Sequence, residues 1–567
     1  MDRPPLIESI PPRWRGPLAL LIAVGAGVGL YLLGRLYRDD PVVYTDPVEH
    51  FKYGSTGGER TSGFPYAVWQ AMPSLFPEYL PGQKYLPDTP YAPLGFLYEK
   101  DAKGRYKDLP VGVSRRNVQG LERVFLNCAI CHTGSVRASP ESAPHLIAGM
   151  PSNTVNLQDF QRFLFASATD ERFSPARVLN EIERMGALED LGVLNERLLR
   201  GLGISLMRER ILMLRDRFKY MDIEPDFGPG RVDTFSPGKV LLNFPMDLLP
   251  ERERVGNCDF PSVWMQKAKN GLHLHWDGNN TSTTERNRNA AFGTGANPGT
   301  LDRPSLARTV EFLNTVEPPR FEGFFQEELA SAAPAEAEKF KIRKDRAERG
   351  KGLYTQHCAS CHGADGRDFT GKYVGQVEPI KAIGTDRWRL DSFTPELVAP
   401  MYQLYAGYGD ERFSHFSKTF GYANLPLDGV WLRAPYLHNG SVPTLRDLLE
   451  PAAKRPKVFF RGYDVYDPVR GGFISDVAVE PEAGAAANPQ RAGRRYFRFD
   501  TQTIPGHQTA AFAKVVELDP KTRTLLAIGI DSLVEADQTF TQLLGKDASE
   551  RYRIIMSEAN LVDDLDV

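Results

Sequence analysis

Residues 127–134 read NCAICHTG and residues 356–366 read QHCASCHGADG, so twice in 567 residues two cysteines stand three apart with a histidine directly behind the second. The chain has only five cysteines and ten histidines. Composition alone would put one C-x-x-C-H into roughly one in a thousand such chains, so two of them are not an accident. Three residues apart on a turn, the thiols of Cys128 and Cys131, and of Cys358 and Cys361, fall on one face, where they can add across the two vinyl groups of a porphyrin. His132 and His362 then ligate iron from the same side. The pattern predicts two covalently bound haem c groups, each with its iron.

A shared zinc site explains less. Two C-x-x-C pairs that hold one zinc are usually about 15–20 residues apart, whereas Cys128 and Cys358 are separated by 230 positions. Zinc, like a thioredoxin-type dithiol, also leaves the repeated histidine without a role. The sixth position of each iron stays open at this level: His or Met there makes an electron carrier, and an empty position makes a reactive centre. Eight further histidines are available. Spacing alone does not choose among them.

The remaining cysteine, Cys258, has no partner for an internal disulfide and is expected to be a buried free thiol. Near the N-terminus, GPLALLIAVGAGVGLYLLG (16–34) is uncharged throughout and is flanked by Arg13, Arg15, Arg35 and Arg38. About 20 apolar residues cross ~30 Å of hydrocarbon, so this run can span a membrane. It is longer than the apolar core of a secretory signal and no small-x-small cleavage site follows Leu33, so a retained anchor is preferred to a cleaved signal. Haem c is joined to unfolded chain outside the bacterial cytoplasmic membrane. The expectation is therefore a single-pass inner-membrane protein with its haem domains in the periplasm.

With 69 basic against 72 acidic side chains the net charge is −3, which gives no footprint for nucleic acid. The length suits two or more domains. The expected division is a cytoplasmic N-terminus (1–15), the anchor (16–34), an N-terminal haem module with insertions (40–330), a C-terminal cytochrome c module (340–515) and an extension (516–567). Residues 40–110, rich in Pro, Tyr and Gly, predict irregular backbone. In NVQGLERVFLNCAICH, the three- and four-residue steps of Val118, Leu121, Val124, Phe125 and Cys128 predict an amphipathic helix closed by the first motif. Residues 176–218 predict a packed helix pair broken at Gly201 and Gly203. The small and charged residues of 329–352 predict a junction leading into the helix that carries the second motif.

Three further stretches carry a resemblance: GYANLPLDGVWLRAPYLHNGSVPTLRDLLEP (421–451), GLHLHWDGNNTSTTERN (271–287) and GTDRWRLDSFT (384–394). With the two motifs they resemble di-haem c-type cytochromes related to bacterial cytochrome c peroxidases, in the branch of rubber oxygenases and di-haem fatty-acid dioxygenases. The resemblance implies a mainly α fold of two cytochrome c-like modules with loop-rich insertions. It implies that His507, behind Gly506 in TIPGHQTAAF, is the distal ligand of the C-terminal haem, with His438 and Met401 as competitors. It gives Arg433 a haem propionate to neutralise, and Trp276, beside His275, a place in the reactive pocket or on the path between haems. It assigns O2 to the haem of His132. The implied activity is that of an oxidoreductase using O2 on an unsaturated hydrophobic substrate, or peroxide, while the second haem exchanges electrons with a periplasmic donor or acceptor. A pure electron-transfer cytochrome is the rival.

Overall fold

The computed structural model describes residues 11–508, so the expected extension 516–567 lies outside the described residues. One helix, Pro12–Leu36, runs for 25 residues with no buried side chain, and it is long and apolar enough to cross a membrane. Directly after it, Asp39–Pro41 pairs with Val113–Val118 and stitches the end of this helix to the rest of the chain. That strand belongs to a four-stranded antiparallel sheet completed by Leu121–Leu126 and Phe64–Pro65.

The sheet overturns the helix expected over 118–128. Val118 pairs with Leu121 across a two-residue turn whose residues, Gln119 (φ 55°) and Gly120 (φ 74°), are both left-handed. A turn with two positive φ angles matches the twist of a hairpin and has no place in a helix. The apolar steps were read with the wrong period, and the Gln-Gly pair decided the outcome. The helical text of 175–217 also divides differently. Its breaks fall at Gly186 (φ 74°) and Gly192 (φ 73°), while Gly201 and Gly203 sit inside a π-turn, Leu199–Gly203, through which Val193–Leu198 continues into Ile204–Arg217. That one extra residue keeps Leu199, Ile204 and Ile211 all buried against the core. The junction is as expected: Lys344–His357 is a helix that runs into the second motif at Ala359–His362.

Helices are the main regular structure, joined by short 3-10 turns and two-stranded ribbons. The largest core gathers Trp69, Tyr91, Phe96, Phe160 and Phe163 with the inward face of the long helix. A second core joins Val136, Met150 and Trp264 to Trp431, Tyr436, Val442, Tyr466 and Phe473, so residues from both expected modules share one apolar interior. Each buried aromatic removes roughly 150–250 Å² from water, at about 25 cal/mol per Å². That makes the shared interior a strong weld.

Asp464 reinforces the weld next to the first motif. It is fully buried and accepts from Arg137 Nε (2.8 Å), Arg491 Nη1 (2.8 Å) and Ser135 Oγ, while its carbonyl accepts from Arg137 N (2.8 Å). Burial would raise its pKa; Arg491 and Arg137 overcome that and hold the carboxyl far below the ordinary range. Asp464→Asn should cost about 3–5 kcal/mol in urea unfolding at neutral pH, because Arg491 loses its buried carboxylate partner and Arg137 keeps only the longer contact to Glu480 (3.4 Å). A depressed native pKa stabilises above the unfolded value and the gain is lost as pH falls, so the gap between the two proteins should narrow below pH about 4.

Candidate metal centres

The two motifs are held by different local structures. Cys128–Ile130 is a 3-10 turn that follows a strand directly, and Asn127 caps it by accepting from Ala129 N (2.9 Å). Strand Thr133–Val136, paired with His145–Ala148, follows at once. Cys358–His362 instead closes a helix, with Gly363 leaving it at φ 84°.

Both histidines are gripped in the same way. His132 Nδ1 donates to the carbonyl of Pro261 (2.9 Å), and His362 Nδ1 donates to the carbonyl of Leu425 (2.9 Å). A carbonyl on Nδ1 fixes the tautomer, orients the ring and leaves the Nε2 lone pair for a metal. Burial pushes His132 down to about 3 and lowers His362, so both rings are neutral at physiological pH, the form that ligates.

The thiols are free, and all six motif side chains are only half-buried. Burial nevertheless pushes Cys128 up to about 11 and Cys358 up to about 12. Two sulfurs beside an imidazole whose Nδ1 is held by a carbonyl and whose Nε2 is left free make a donor set that fits a covalently attached porphyrin. Among the described residues no group of three or more His, Cys, Asp or Glu stands together as a metal cluster, so the two cysteine pairs do not merge into one zinc site. Cys258 is buried, with Sγ 2.9 Å from Thr234 Oγ1, as expected of a free core thiol.

Trp276 stands between the two grips. Its Nε1 donates to Asp259 O (2.8 Å), two residues from Pro261, and its own carbonyl accepts from Ala423 N (2.8 Å), two residues from Leu425. Its neighbour His275 has φ 63° and a buried Nε2 without a partner. Burial, then Arg286, Arg389 and His132, hold His275 far below its ordinary pKa, which places it within electrostatic reach of the first motif. Left-handed backbone at a non-glycine costs of order 1 kcal/mol and collects at functional positions.

Arg433 makes a second bridge. It donates from Nε and Nη2 to Ser262 Oγ (3.0 and 2.7 Å), from Nη1 to Pro426 O (2.8 Å) and from Nη2 to Asp428 (2.9 Å). Asp428 is fully buried and also pairs with Lys269 (2.7 Å). The side chain expected to neutralise a propionate therefore spends most of its donors clamping the two histidine loops together. A cavity of about 20 Å³, room for a water, lies between Trp276, Ser262, Phe260 and Arg433.

His507 is fully buried and stacked on Phe499, with ring centroids 4.1 Å apart. Neither ring nitrogen makes a hydrogen bond of ordinary geometry. Burial, then Arg231 and Arg461, hold it far below its usual pKa. Its neighbour Gln508 is tied to Asn439, but no hydrogen bond or ring contact among the described residues links His507 to His362. His438 stacks on Tyr422 at 4.1 Å with Nε2 3.6 Å from Asp386, and Met401 sits in a core with Tyr405, Phe413 and Phe416. Sequence reading passed over Arg286 and Arg389. Both are buried; Arg286 is pushed down to about 10 by burial and by Arg389, and Arg389 pairs with Asp277 (2.8 Å) while its Nε and Nη1 lack partners.

Comparison with known proteins agrees with this chemistry. Residues 347–407, which contain the second motif, match the family described as Cytochrome c, and residues 421–460 match the family described as RoxA-like, cytochrome c-like. The matches show that the stretch between residues 347 and 460 is similar to cytochrome c and RoxA-like sequence. The uncharacterized protein y4iM of Sinorhizobium fredii is 31% identical over 247 residues, which cover 39% of this chain and 50% of y4iM. Another from the same organism, y4iJ, is 32% identical over 177 residues, 31% of this chain and 24% of y4iJ. The chain thus spans half or less of the curated relatives it matches.

Arg433→Gln should cost about 3 kcal/mol in urea unfolding, because Asp428 keeps only Lys269 and the two loops lose their clamp. In haem-loaded protein the release of the loops should also move the visible absorption bands; bands that stay in place would refute the clamp.

Proposed function

We propose that this chain is a membrane-anchored di-haem c-type cytochrome with oxidoreductase activity, its haem-bearing part on the periplasmic side of a bacterial inner membrane. The observation that carries the reading is the repeated unit: a C-x-x-C-H whose imidazole is aimed by a backbone carbonyl, found twice. The match to cytochrome c and RoxA-like sequence supports it. The helix Pro12–Leu36 supports the anchor.

Bound haem supplies the iron that meets O2 or peroxide and that passes electrons. The protein does the rest. Cys128 and Cys131, and Cys358 and Cys361, hold the groups covalently, while His132 and His362 ligate through Nε2. Arg286 and Arg389 bring positive charge into the interior, and the free donors of Arg389 suit a haem carboxylate. Trp276 connects the two loops and is the aromatic best placed to relay an electron between the centres. The reactive centre is that of His132, where the strained His275 stands close by. Haem held there by Cys128, Cys131 and His132 would supply the chemistry for oxygenating an unsaturated hydrophobic substrate with O2 or for reducing peroxide, and haem held by Cys358, Cys361 and His362 would exchange electrons with a periplasmic partner. His507, buried against Phe499 and held neutral, is the imidazole that would complete the ligation of the second group's iron. The rival reading, pure electron transfer, draws on the same buried imidazoles, His438 and His507, as sixth ligands.

Replacing Cys358 and Cys361 together with Ala should halve the covalent haem measured as pyridine haemochrome. An unchanged ratio of haem to protein would remove the second site. For activity, the exported protein should show a high-spin EPR signal and, incubated with O2 or peroxide and unsaturated lipids or polyisoprenoids, yield oxygenated products by mass spectrometry. A fully low-spin spectrum without products would establish the carrier instead. In the same spectra His507→Ala should turn one low-spin centre high-spin; an unaltered spectrum would pass the ligand role to another residue.

A further inference from the structure

The long helix that spans Val193–Arg217 buries one face and leaves another apolar face bare. Leu199, Ile204 and Ile211 enter the core, whereas Leu198, Leu202, Leu206 and Met213 are 49%, 59%, 56% and 64% exposed. The π-turn at Leu199–Gly203 keeps both sets in phase along the helix. Past its end, Ile223 is 75% exposed. Single exposed apolar residues are ordinary, but a row at helical spacing marks a surface that something covers.

Two observations say what covers it. First, the helix begins where the anchor ends. The Arg35 guanidinium, in the last turn of Pro12–Leu36, donates to Asn195 Oδ1, and Asn195 Nδ2 donates to Gly120 O (3.0 Å) and Leu191 O (2.9 Å). Gln119 N, in the same hairpin turn, donates to Arg38 O (2.8 Å). Anchor, hairpin tip and helix start thus meet at one junction, held further by Asp39–Pro41 in the sheet. The end of a membrane span marks the headgroup layer. Second, the helix has the charge a headgroup layer attracts. Residues 193–219 contain seven basic side chains against three acidic ones, and Arg197, Arg200, Arg210, Arg215 and Arg217 are all exposed. Arg210 stands between Leu206 and Met213 at four- and three-residue steps, so its alkyl stem flanks the apolar row while its guanidinium can reach phosphate.

We propose that the outward face of Val193–Arg217 is an interfacial membrane-binding surface, seated in the phospholipid headgroup layer beside the anchor. It rests on the reading of Pro12–Leu36 as a membrane span. An exposed apolar row with arginine on its borders is the composition that lies in the plane of an interface. The second point of attachment adds to the junction at Arg35 and Asn195 in fixing the orientation of the rest of the chain over the bilayer.

The test uses the haem-loaded full chain in nanodiscs of phosphatidylcholine and phosphatidylglycerol. An environment-sensitive fluorophore is placed in turn at Leu30→Cys, Leu206→Cys, Met213→Cys and Val458→Cys; Cys258 is buried, and the other four thiols are engaged. Lipids carrying a nitroxide near the headgroup then serve as quenchers. The labels at 206 and 213 should lose several times more signal than the label at 458. Quenching at 30 with labels at 206 and 213 as unprotected as that at 458 overturns the interfacial face and leaves the anchor standing. An unquenched label at 30 removes the anchor, and the proposal with it. Labels at 206 and 213 that are blue-shifted but unquenched, equally in detergent and in nanodiscs, assign the face to a second copy and overturn the lipid proposal.

Discussion

Two backbone carbonyls organise the interior. The oxygens of Pro261 and Leu425 each take the Nδ1 hydrogen of a motif histidine, and the residue after each, Ser262 and Pro426, is taken in turn by Arg433. A continuous line of bonds therefore runs from His132 to His362 through a single guanidinium. Its counter-ion, Asp428, is fully buried and shared with Lys269. An arginine and a carboxylate taken this far from water cost several kcal/mol unless nearly every donor is used, and four of the five N–H groups of Arg433 are. The expense is understandable if the distance and angle between the two centres matter more than stability. Trp276 repeats the connection one layer away, tying Asp259 to Ala423.

This arrangement also explains why so little of the interior is regular secondary structure. A helix or strand uses its carbonyls within its own ladder, so a carbonyl free to aim an imidazole has to come from a loop. The loops at 259–262 and 423–428 supply them, and the shared aromatic core around Trp264 and Trp431 gives these loops a rigid bed. The two motifs differ in their own backbone, one a turn between strands and one the end of a helix. Their second shells are nonetheless alike, so the constraint common to both sites is the aimed imidazole.

What could be read from the sequence follows the range of the interactions. The two motifs were legible because C-x-x-C-H is complete within five residues, and the apolar N-terminal helix and the buried Cys258 were legible from composition and count. The hairpin at 118–121 was misread because its apolar residues satisfy a helical step as well as a strand, and the decisive signal was the backbone freedom of Gln119 and Gly120. The π-turn was hidden for a related reason: glycines at 201 and 203 suggest a break, yet the burial of Leu199 and Ile204 five residues apart holds the helix together. The carbonyl grips were out of reach altogether. They join residues 129 and 63 positions apart through main-chain atoms that every residue possesses, so no side-chain pattern announces them. Arg433 was singled out as a cation near haem, but its partners Ser262 and Asp428 showed it to be a clamp only once the loops were in place.

The thiols set an order of events. In the folded chain burial holds Cys128 at about 11 and Cys361 at about 11, with Cys131 and Cys358 higher still. At neutral pH a thiol at 11 is a thiolate about one part in ten thousand, against a few parts in a hundred for an unperturbed cysteine. The nucleophilic form is thus hundreds of times scarcer once the interior has closed. Attack by these thiols is therefore favoured in the open chain, before Asp464 and Arg433 join its two halves.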